Sequence, residues 1–391
     1  MKHKRLDSTI SILEKLIGYP TVSADSNLDL ITFAAELLQT KGARVRVSKD
    51  NSGKKANLFA TLGPDVSGGI VLSGHSDVVP ANAAEWSSDP FKMQVKDDFV
   101  FGRGACDMKG FIACVLAKLD DYSVLDLQRP LHVALTYDEE VGCLGARHLA
   151  EELQDDDLRP SVVIIGEPTE MRVIEGHKGC YEYTTSFHGT DGHGSEPDKG
   201  VNAIHVAASY ICKLMELSEC MKERAGPDSS SFSPPWTTIQ TGCIEGGSAR
   251  NVIARHCAVE WEMRPVRSSD ATEIKSALEK YCQEVLLPQM KAVHPEADIV
   301  TEVIGEVAGL AVMRENEARE LVFSLTGANL SDVVSFGTEA GLFQALGMSV
   351  VVCGPGSIAQ AHQPDEFVTT GQLEKCLSML DGLERTLVKP E

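Results

Sequence analysis

Five times along this chain a short apolar run breaks into a turn that carries an imidazole or a carboxylate. The turns are GHSD at 74–77, GRGACDMKG at 102–110, DEE at 138–140, GEPT at 166–169 and GPGSIAQAHQPD at 354–365. Apolar runs of about four to eight residues bounded by turns suit buried strands, and open α/β sheets collect ligands beyond the carboxyl ends of such strands. The pattern predicts an α/β fold with a largely parallel, mixed sheet flanked by helices and reactive groups gathered along one edge. Apolar residues at helical spacing mark helices over 6–17, 28–38, 108–119 and 373–387. Strands are predicted at 44–47, 57–61, 69–73, 131–137, 161–165 and 350–353.

The middle of the chain reads differently. A strand over 181–188 is followed by Asn202, a predicted helix cap, and by a stripe of Ile204, Ala207, Ile211 and Leu214. Strands follow at 237–244 and 254–263, the second with Cys257, Val259, Trp261 and Met263 on one face. Asp270 is predicted to cap a helix with Ile274, Leu278, Tyr281 and Val285 on one stripe, and 297–304 reads as a last strand. The order β-α-β-β-α-β is the ferredoxin-like one. A chain of 391 residues is longer than one core usually holds. The predicted organisation is a discontinuous domain over 1–178 and 304–391, with a lid or dimerisation domain inserted at 179–303. Residues 226–236 read as a surface loop, and the acids within 151–157 as a solvated helix end.

Charge limits the function. Lys and Arg number 36 against 57 Asp and Glu, a net of -21, whereas a nucleic-acid partner would need a basic surface. No apolar run approaches the ~20 residues of a membrane span, and the basic start leads into an amphipathic helix instead of a signal peptide. The eleven cysteines form no CxxC pair, so neither a zinc ribbon nor a thioredoxin-type motif is available. Reduced thiols in a cytoplasm are expected, with a small-molecule partner, no nucleic acid and no membrane.

The five turns hold a coherent set of donors. In extended chain His75 and Asp77 point the same way, and a metal-ligating imidazole commonly hands its second N–H to a neighbouring acceptor. Asp107 arrives at the start of a helix, where the dipole favours a carboxylate; taken alone, it also suits a plain helix cap. Asp138, Glu139 and Glu140 repel one another at the end of a buried strand, which calls for cations; alone, they also suit an exposed acidic turn. Glu139 and Glu140 diverge as neighbours, so one can ligate while the other stays free. With Glu167 and His362 the set reaches two imidazoles and several carboxylates, suited to one or two borderline metals. Cys106 and Cys143 lie nearby and read as small buried hydrophobes.

GHSDVVP, GACDMKG, YDEEVGCLGAR, IGEPT and CGPGSIAQAHQPDEF, in this order, resemble the M20 family of co-catalytic zinc amidohydrolases and peptidases, and within it the acetylornithine deacetylases. The resemblance covers essentially the whole length. It implies a hydrolase of linear amides with two Zn2+ ions, Co2+ being a substitute. His75 and Glu167 would bind one ion, Glu140 and His362 the other, and Asp107 would bridge them. Asp77 would orient His75, and Glu139 would be the general base. GHGSEP at 192–197 resembles the family segment whose histidine, here His193, reaches the active site of the other subunit of a homodimer and stabilises the oxyanion. This chain has HGS where relatives often have HSS or HAS. Arg264 resembles the family's arginine for a substrate α-carboxylate, and Asn251, in GGSARNVI, a substrate or oxyanion contact. His177 lies in an EGHKG segment similar to the family's His-Lys-Gly near the cleft, with no role assigned. His132, His148, His188, His205, His256 and His294 read as structural.

The reaction this implies is removal of an N-acyl group from an amino acid. The favoured substrate is N2-acetyl-L-ornithine, giving L-ornithine and acetate in arginine biosynthesis. A succinyl-diaminopimelate desuccinylase, an aminoacylase or dipeptidase, and an acetylcitrulline deacetylase would share the metal ligands. A non-catalytic paralogue would need a broken site, and all seven matched positions hold the expected residue type.

Overall fold

The structure, a computed structural model, describes residues 2–154, 159–226 and 231–388. The acids at 155–157 and part of the expected 226–236 loop lie outside the described residues. The chain divides into two compact units, one of Met1–Gly176, Val312–Asp332 and Thr338–Glu391, the other of His177–Ala311 and Val333–Gly337.

An eight-stranded sheet organises the first unit. In spatial order its strands are Arg44–Lys49, Ala56–Leu62, Leu131–Thr136, Ile70–His75, Val162–Pro168, Ser349–Gly354, Val173–His177 and Ser331–Val334. The four strands from Leu131–Thr136 to Ser349–Gly354 run parallel, with antiparallel pairing on either side of them. Ile70–His75, Leu131–Thr136 and Val162–Pro168 are buried at every residue, hence their continuous apolar runs. Arg44–Lys49 forms one edge and is exposed or half-buried throughout, its charges guarding the open backbone. Helix Lys109–Tyr122 packs against Lys2–Ile17 and Thr370–Val388. It is buried nearly end to end and so is apolar on more than one face.

The chain leaves Ile70–His75 to reach a neighbour on one side, Leu131–Thr136, and returns on the other side as Val162–Pro168. Open α/β sheets bind ligands at such a reversal, and the strands flanking it end in His75 and Glu167. A second, three-stranded sheet joins Phe367–Thr369, Phe99–Phe101 and Gln94–Lys96. Strands of three residues are too short to leave a periodic signal in sequence.

The second unit is a four-stranded antiparallel sheet in the order Thr238–Gly246, His256–Arg264, Cys180–His188, Asp298–Val307. Helices Ala203–Glu223 and Ser268–Tyr281 intervene in the chain, giving the ferredoxin-like connection. Cys257, Val259, Trp261 and Met263 are buried together as their alternation requires. Asn202 caps its helix, its side chain accepting from the Ile204 and His205 amides. One expectation is sharpened here and two fail. The predicted stripe of that helix does face the core, Ala207 and Leu214 buried and Ile204 and Ile211 half-buried against it, but its centre is shifted toward Ala203 and Tyr210, which packs edge-on against Phe187. Asp270 is not a cap: it lies in the first turn of Ser268–Tyr281, where the Thr237 hydroxyl donates to it, and Arg267 takes the cap position. Val285 is exposed, because a π-type turn over Cys282–Leu286 rotates the stripe and buries Cys282 and Leu286 instead. Among the described residues no helix is long and apolar enough to cross a membrane.

Candidate metal centre

The parallel strands deliver their terminal residues to one place. His75 closes Ile70–His75, Glu140 follows Leu131–Thr136, Glu167 lies at the end of Val162–Pro168, and His362 sits in the loop after Ser349–Gly354. Asp107 enters just ahead of Lys109–Tyr122. Asp107 lies between the two imidazoles, its Oδ1 3.0 Å from His75 Nε2 and its Oδ2 3.4 Å from His362 Nε2. Glu140 Oε1 is 3.1 Å from His362 Nε2, and Glu167 Oε1 is 3.8 Å from His75 Nε2. Ligand atoms of His75, Asp107 and Glu140 lie within 4.8 Å of one another, as do those of His75, Glu139 and Glu167.

Neighbouring groups fix these side chains. His75 Nδ1 is 2.9 Å from the Asp77 carbonyl oxygen and 3.6 Å from the Asp77 carboxylate. An Nδ1–H donating to that carbonyl leaves the Nε2 lone pair facing the acids. The Asp77 carboxylate is used mainly elsewhere. It accepts from Ser23 Oγ at 2.7 Å, from the Glu139 amide at 3.1 Å and from the Glu140 amide at 3.4 Å. It thereby ties the DEE turn to the end of the His75 strand. Asp138, Cys143 and His362 have φ of 53°, 55° and 63°, left-handed values that cost energy for residues other than glycine and cluster at functional sites. Lys55 Nζ holds Asp138 at 2.5 Å.

Burial and mutual repulsion dominate the electrostatics. His75 is 1% exposed while the His362 side chain is 48% exposed, so the group opens to solvent on the His362 side. Burial raises the Glu140 and Glu167 carboxyls, with Asp107 adding to the rise. Burial pushes Glu139 up to about 8; Glu140 and Asp107 add to this and His75 opposes it. Burial also disfavours the Asp107 carboxylate, but hydrogen bonds with His362 and His75 outweigh it and hold the group below the usual carboxylate range. For His75, burial is outweighed by Asp107 and Asp77, which raise it well above the ordinary imidazole value. Hydrogen bonds to Asp107 and Glu140 push His362 up to about 10.

Among the described residues, Asp107, Glu140 and Glu167 form ion pairs with imidazoles and not with lysine or arginine. Two imidazole nitrogens and an excess of buried carboxylate oxygens make a donor set for borderline divalent cations. These residues fit a two-ion centre.

Five contributors had no role at the site assigned from the sequence. Cys143 is buried as expected, but its Sγ lies 3.5 Å from Glu139 Oε1, and Cys106 Sγ donates to the Ser357 carbonyl at 3.3 Å. Glu339 is buried and accepts from Ser73 Oγ at 2.5 Å and Thr136 Oγ1 at 2.7 Å, at the ends of two central strands. Glu366 is buried and accepts from the Gly104, Cys106 and Asp107 amides. Ser23 holds Asp77. Glu366 had a signal in its place four residues after His362, and Cys106 and Cys143 in their nearness to Asp107 and Glu140; Ser23 and Glu339 meet the site through space alone.

The remaining predicted residues lie in the second unit. His193 is exposed, with Nδ1 2.6 Å from Ser195 Oγ, and forms an isolated bridge with Val252. The Gly194 amide donates to the Asn251 carbonyl at 2.8 Å, and a Cβ on Gly194 would come within 3.0 Å of that oxygen. The glycine in HGS therefore lets the two segments close together. Arg264 is occupied by Glu262, its Nε and Nη2 reaching one carboxylate oxygen at 3.0 and 2.7 Å. His177 is buried with Nδ1 2.8 Å from the Lys178 carbonyl, and burial pulls it down to about 4. In the first unit, a groove of about 800 Å³ bordered by Arg5, Glu170, Leu325 and Lys375 shares no residue with the cluster.

Comparison with known proteins gives a consistent result. The model of "Peptidase family M20/M25/M40" matches residues 71–384. An acetylornithine deacetylase of Shigella sonnei (strain Ss046) is 36% identical over 377 residues, covering 95% of each chain. The M20 family metallo-carboxypeptidase Sso-CP2 of Sulfolobus solfataricus superposes with a TM-score of 0.76 at 18% identity, over 98% of this chain and 99% of that one. The YXEP protein of Bacillus subtilis, a dinuclear metal binding peptidase from the M20 family, superposes with a TM-score of 0.64 at 13% identity, over 98% and 99%.

Proposed function

The chain belongs to peptidase family M20/M25/M40 and is a hydrolase acting on amides, and from that premise we propose that it deacetylates N2-acetyl-L-ornithine to L-ornithine and acetate. The observation that carries the chemistry is Asp107, with one oxygen toward His75 and the other toward His362. In this reading His75 and Glu167 would hold one ion and Glu140 and His362 the other, with Asp107 serving both. The ions are Zn2+, with Co2+ able to substitute. Bound there, divalent ions would supply the acidity of a coordinated water and the polarisation of an amide carbonyl. Glu139, which accepts from the Cys143 thiol instead of an imidazole, takes the proton from the attacking water and delivers it to the departing amine.

The second unit acts as lid and dimerisation module of a cytoplasmic homodimer. His193 stabilises the oxyanion in the other subunit. Arg264 exchanges Glu262 for the substrate α-carboxylate, and Asn251 contacts the substrate. The choice of N-acetylornithine rests on the Shigella sonnei relative. Its test is kcat/KM on zinc-loaded enzyme for N-acetylornithine, N-acetylmethionine, N-acetylcitrulline and succinyl-diaminopimelate. N-acetylornithine should lead. A preference for the succinyl compound beyond about tenfold, ~1.4 kcal/mol in transition-state binding, would overturn the assignment.

A further inference from the structure

We propose that Glu366 is a positioning residue for the metal centre, locking the turn that carries Asp107 to the loop that carries His362. The proposal rests on the two-ion reading above. Its basis is a strand pairing between distant segments. Phe367 pairs opposite Phe101, which sets the preceding Glu366 against the turn that begins at Gly102, and the Gly102 amide donates to the Glu366 carbonyl at 2.9 Å. Both carboxylate oxygens of Glu366 are spent on the same turn. Oε1 accepts from the Cys106 amide at 2.8 Å and the Asp107 amide at 3.0 Å. Oε2 accepts from the Gly104 amide at 3.0 Å and from Arg103 Nη1 at 2.8 Å.

Glu366 is 1% exposed, and a carboxylate so deeply buried is tolerated only when hydrogen bonds and a counter-charge compensate it. Here every compensating donor lies within residues 102–107. Gly104 has φ +82°, and a Cβ there would meet Val78 Cγ1 at 2.7 Å, so only glycine presents its amide in this way. Arg103 carries the connection onward. It stacks on Trp86 at 5.1 Å and donates to the carbonyls of Pro80 at 3.3 Å and of Gln363, next to His362, at 3.4 Å. One buried acid and its arginine thus reach the Asp107 backbone and the neighbour of His362 together. Groups that orient metal ligands in this manner commonly change metal affinity by about 10–100-fold when removed.

The experiment measures Zn2+ affinity of the full chain by chelator competition, with the visible absorption of the Co2+-loaded protein as a report on ligand geometry. Glu366→Gln should weaken at least one ion by about tenfold or more and shift the Co2+ bands. Glu366→Asp, which keeps the charge on a shorter arm, should recover only part of the loss. Glu175→Gln is the control: Glu175 is also largely buried and pairs with Arg319 and Ser331, yet touches no candidate ligand. It should keep both ions and the Co2+ spectrum even if its Tm falls as far. Arg103→Met leaves the amide bonds to Glu366 in place, so it should weaken binding less, and it replaces the Glu366 variants if they do not fold. Wild-type affinity and spectrum in the Glu366 variants, or in Arg103→Met as their substitute, would overturn the proposal alone. A wild-type chain holding fewer than two ions would overturn the functional reading and the proposal together.

Discussion

Two groups of carboxylates in the first unit are close enough to hold a cation, and they balance their charge in opposite ways. Asp121, Asp381 and Glu384 lie within 4.8 Å of one another, but Lys118 Nζ sits among them at 2.7, 2.8 and 2.6 Å. Arg5 adds pairs to Asp121 and Asp381. This group fastens helix Lys109–Tyr122 to Thr370–Val388, and two permanent cations of the chain offset most of its charge. Among the described residues, Asp107, Glu140 and Glu167 pair with His75 and His362 and with no lysine or arginine. Crowding of acids therefore does not identify a metal site; the source of the counter-charge does. Lysine and arginine supply it in one group, whereas the other offers two imidazoles, which can bind a cation only when they give up their protons.

The largest expected effect tests whether the imidazole-bearing group performs chemistry. Glu139→Gln should retain its ions in elemental analysis while turnover falls about 10³-fold, ~4 kcal/mol of transition-state stabilisation; unchanged turnover would remove the base. Metal removal comes next. Free metal at about 1,000 times Kd stabilises a folded chain by ~4 kcal/mol per site, so chelation should lower the denaturation midpoint, and an insensitive midpoint would make the two groups alike. Lys118→Met should cost ~1–3 kcal/mol, because its partners are about a third exposed and water screens them. The loss should shrink as pH falls and the unpaired acids take up protons. Hydrogen bonds to those acids raise Lys118 above the ordinary lysine value despite the opposing effect of burial. Its own contribution is therefore fully present below that ordinary value and disappears only as pH rises through the raised one. Urea midpoints from pH 5 to 11 check both signs. Smallest is Cys143→Ala, expected to lower kcat by a few-fold, less than ~1 kcal/mol, with Cys143→Ser restoring it by supplying an O–H donor.

The two groups also differ in how much of them the sequence made legible. Each candidate ligand follows an apolar run or opens a helix, so local order put His75, Asp107, Glu140, Glu167 and His362 at the ends of elements, and the family resemblance singled them out as ligands. The parallel core was readable for the same reason, since continuous burial writes continuous apolar runs. Lys118 sits in an apolar helix, and its partners Asp381 and Glu384 lie on the last helix, so nothing in the local pattern marked the group. Glu366 escaped because its donors become neighbours only when Phe367–Thr369 pairs with Phe99–Phe101. Asp270 misled because a buried threonine claimed a carboxylate whose sequence position suits a cap. Val285 misled because one π-type turn shifts every later residue around the helix.

The order of the donors has a consequence for how the protein is made. His75, Asp107, Glu140 and Glu167 all lie in the first 176 residues, and His362 follows only after the whole second unit. Synthesis proceeds from the N-terminus and domains fold as they emerge, so for most of translation the acids lack their second imidazole. The candidate donor set is therefore complete only in a polypeptide that has reached His362.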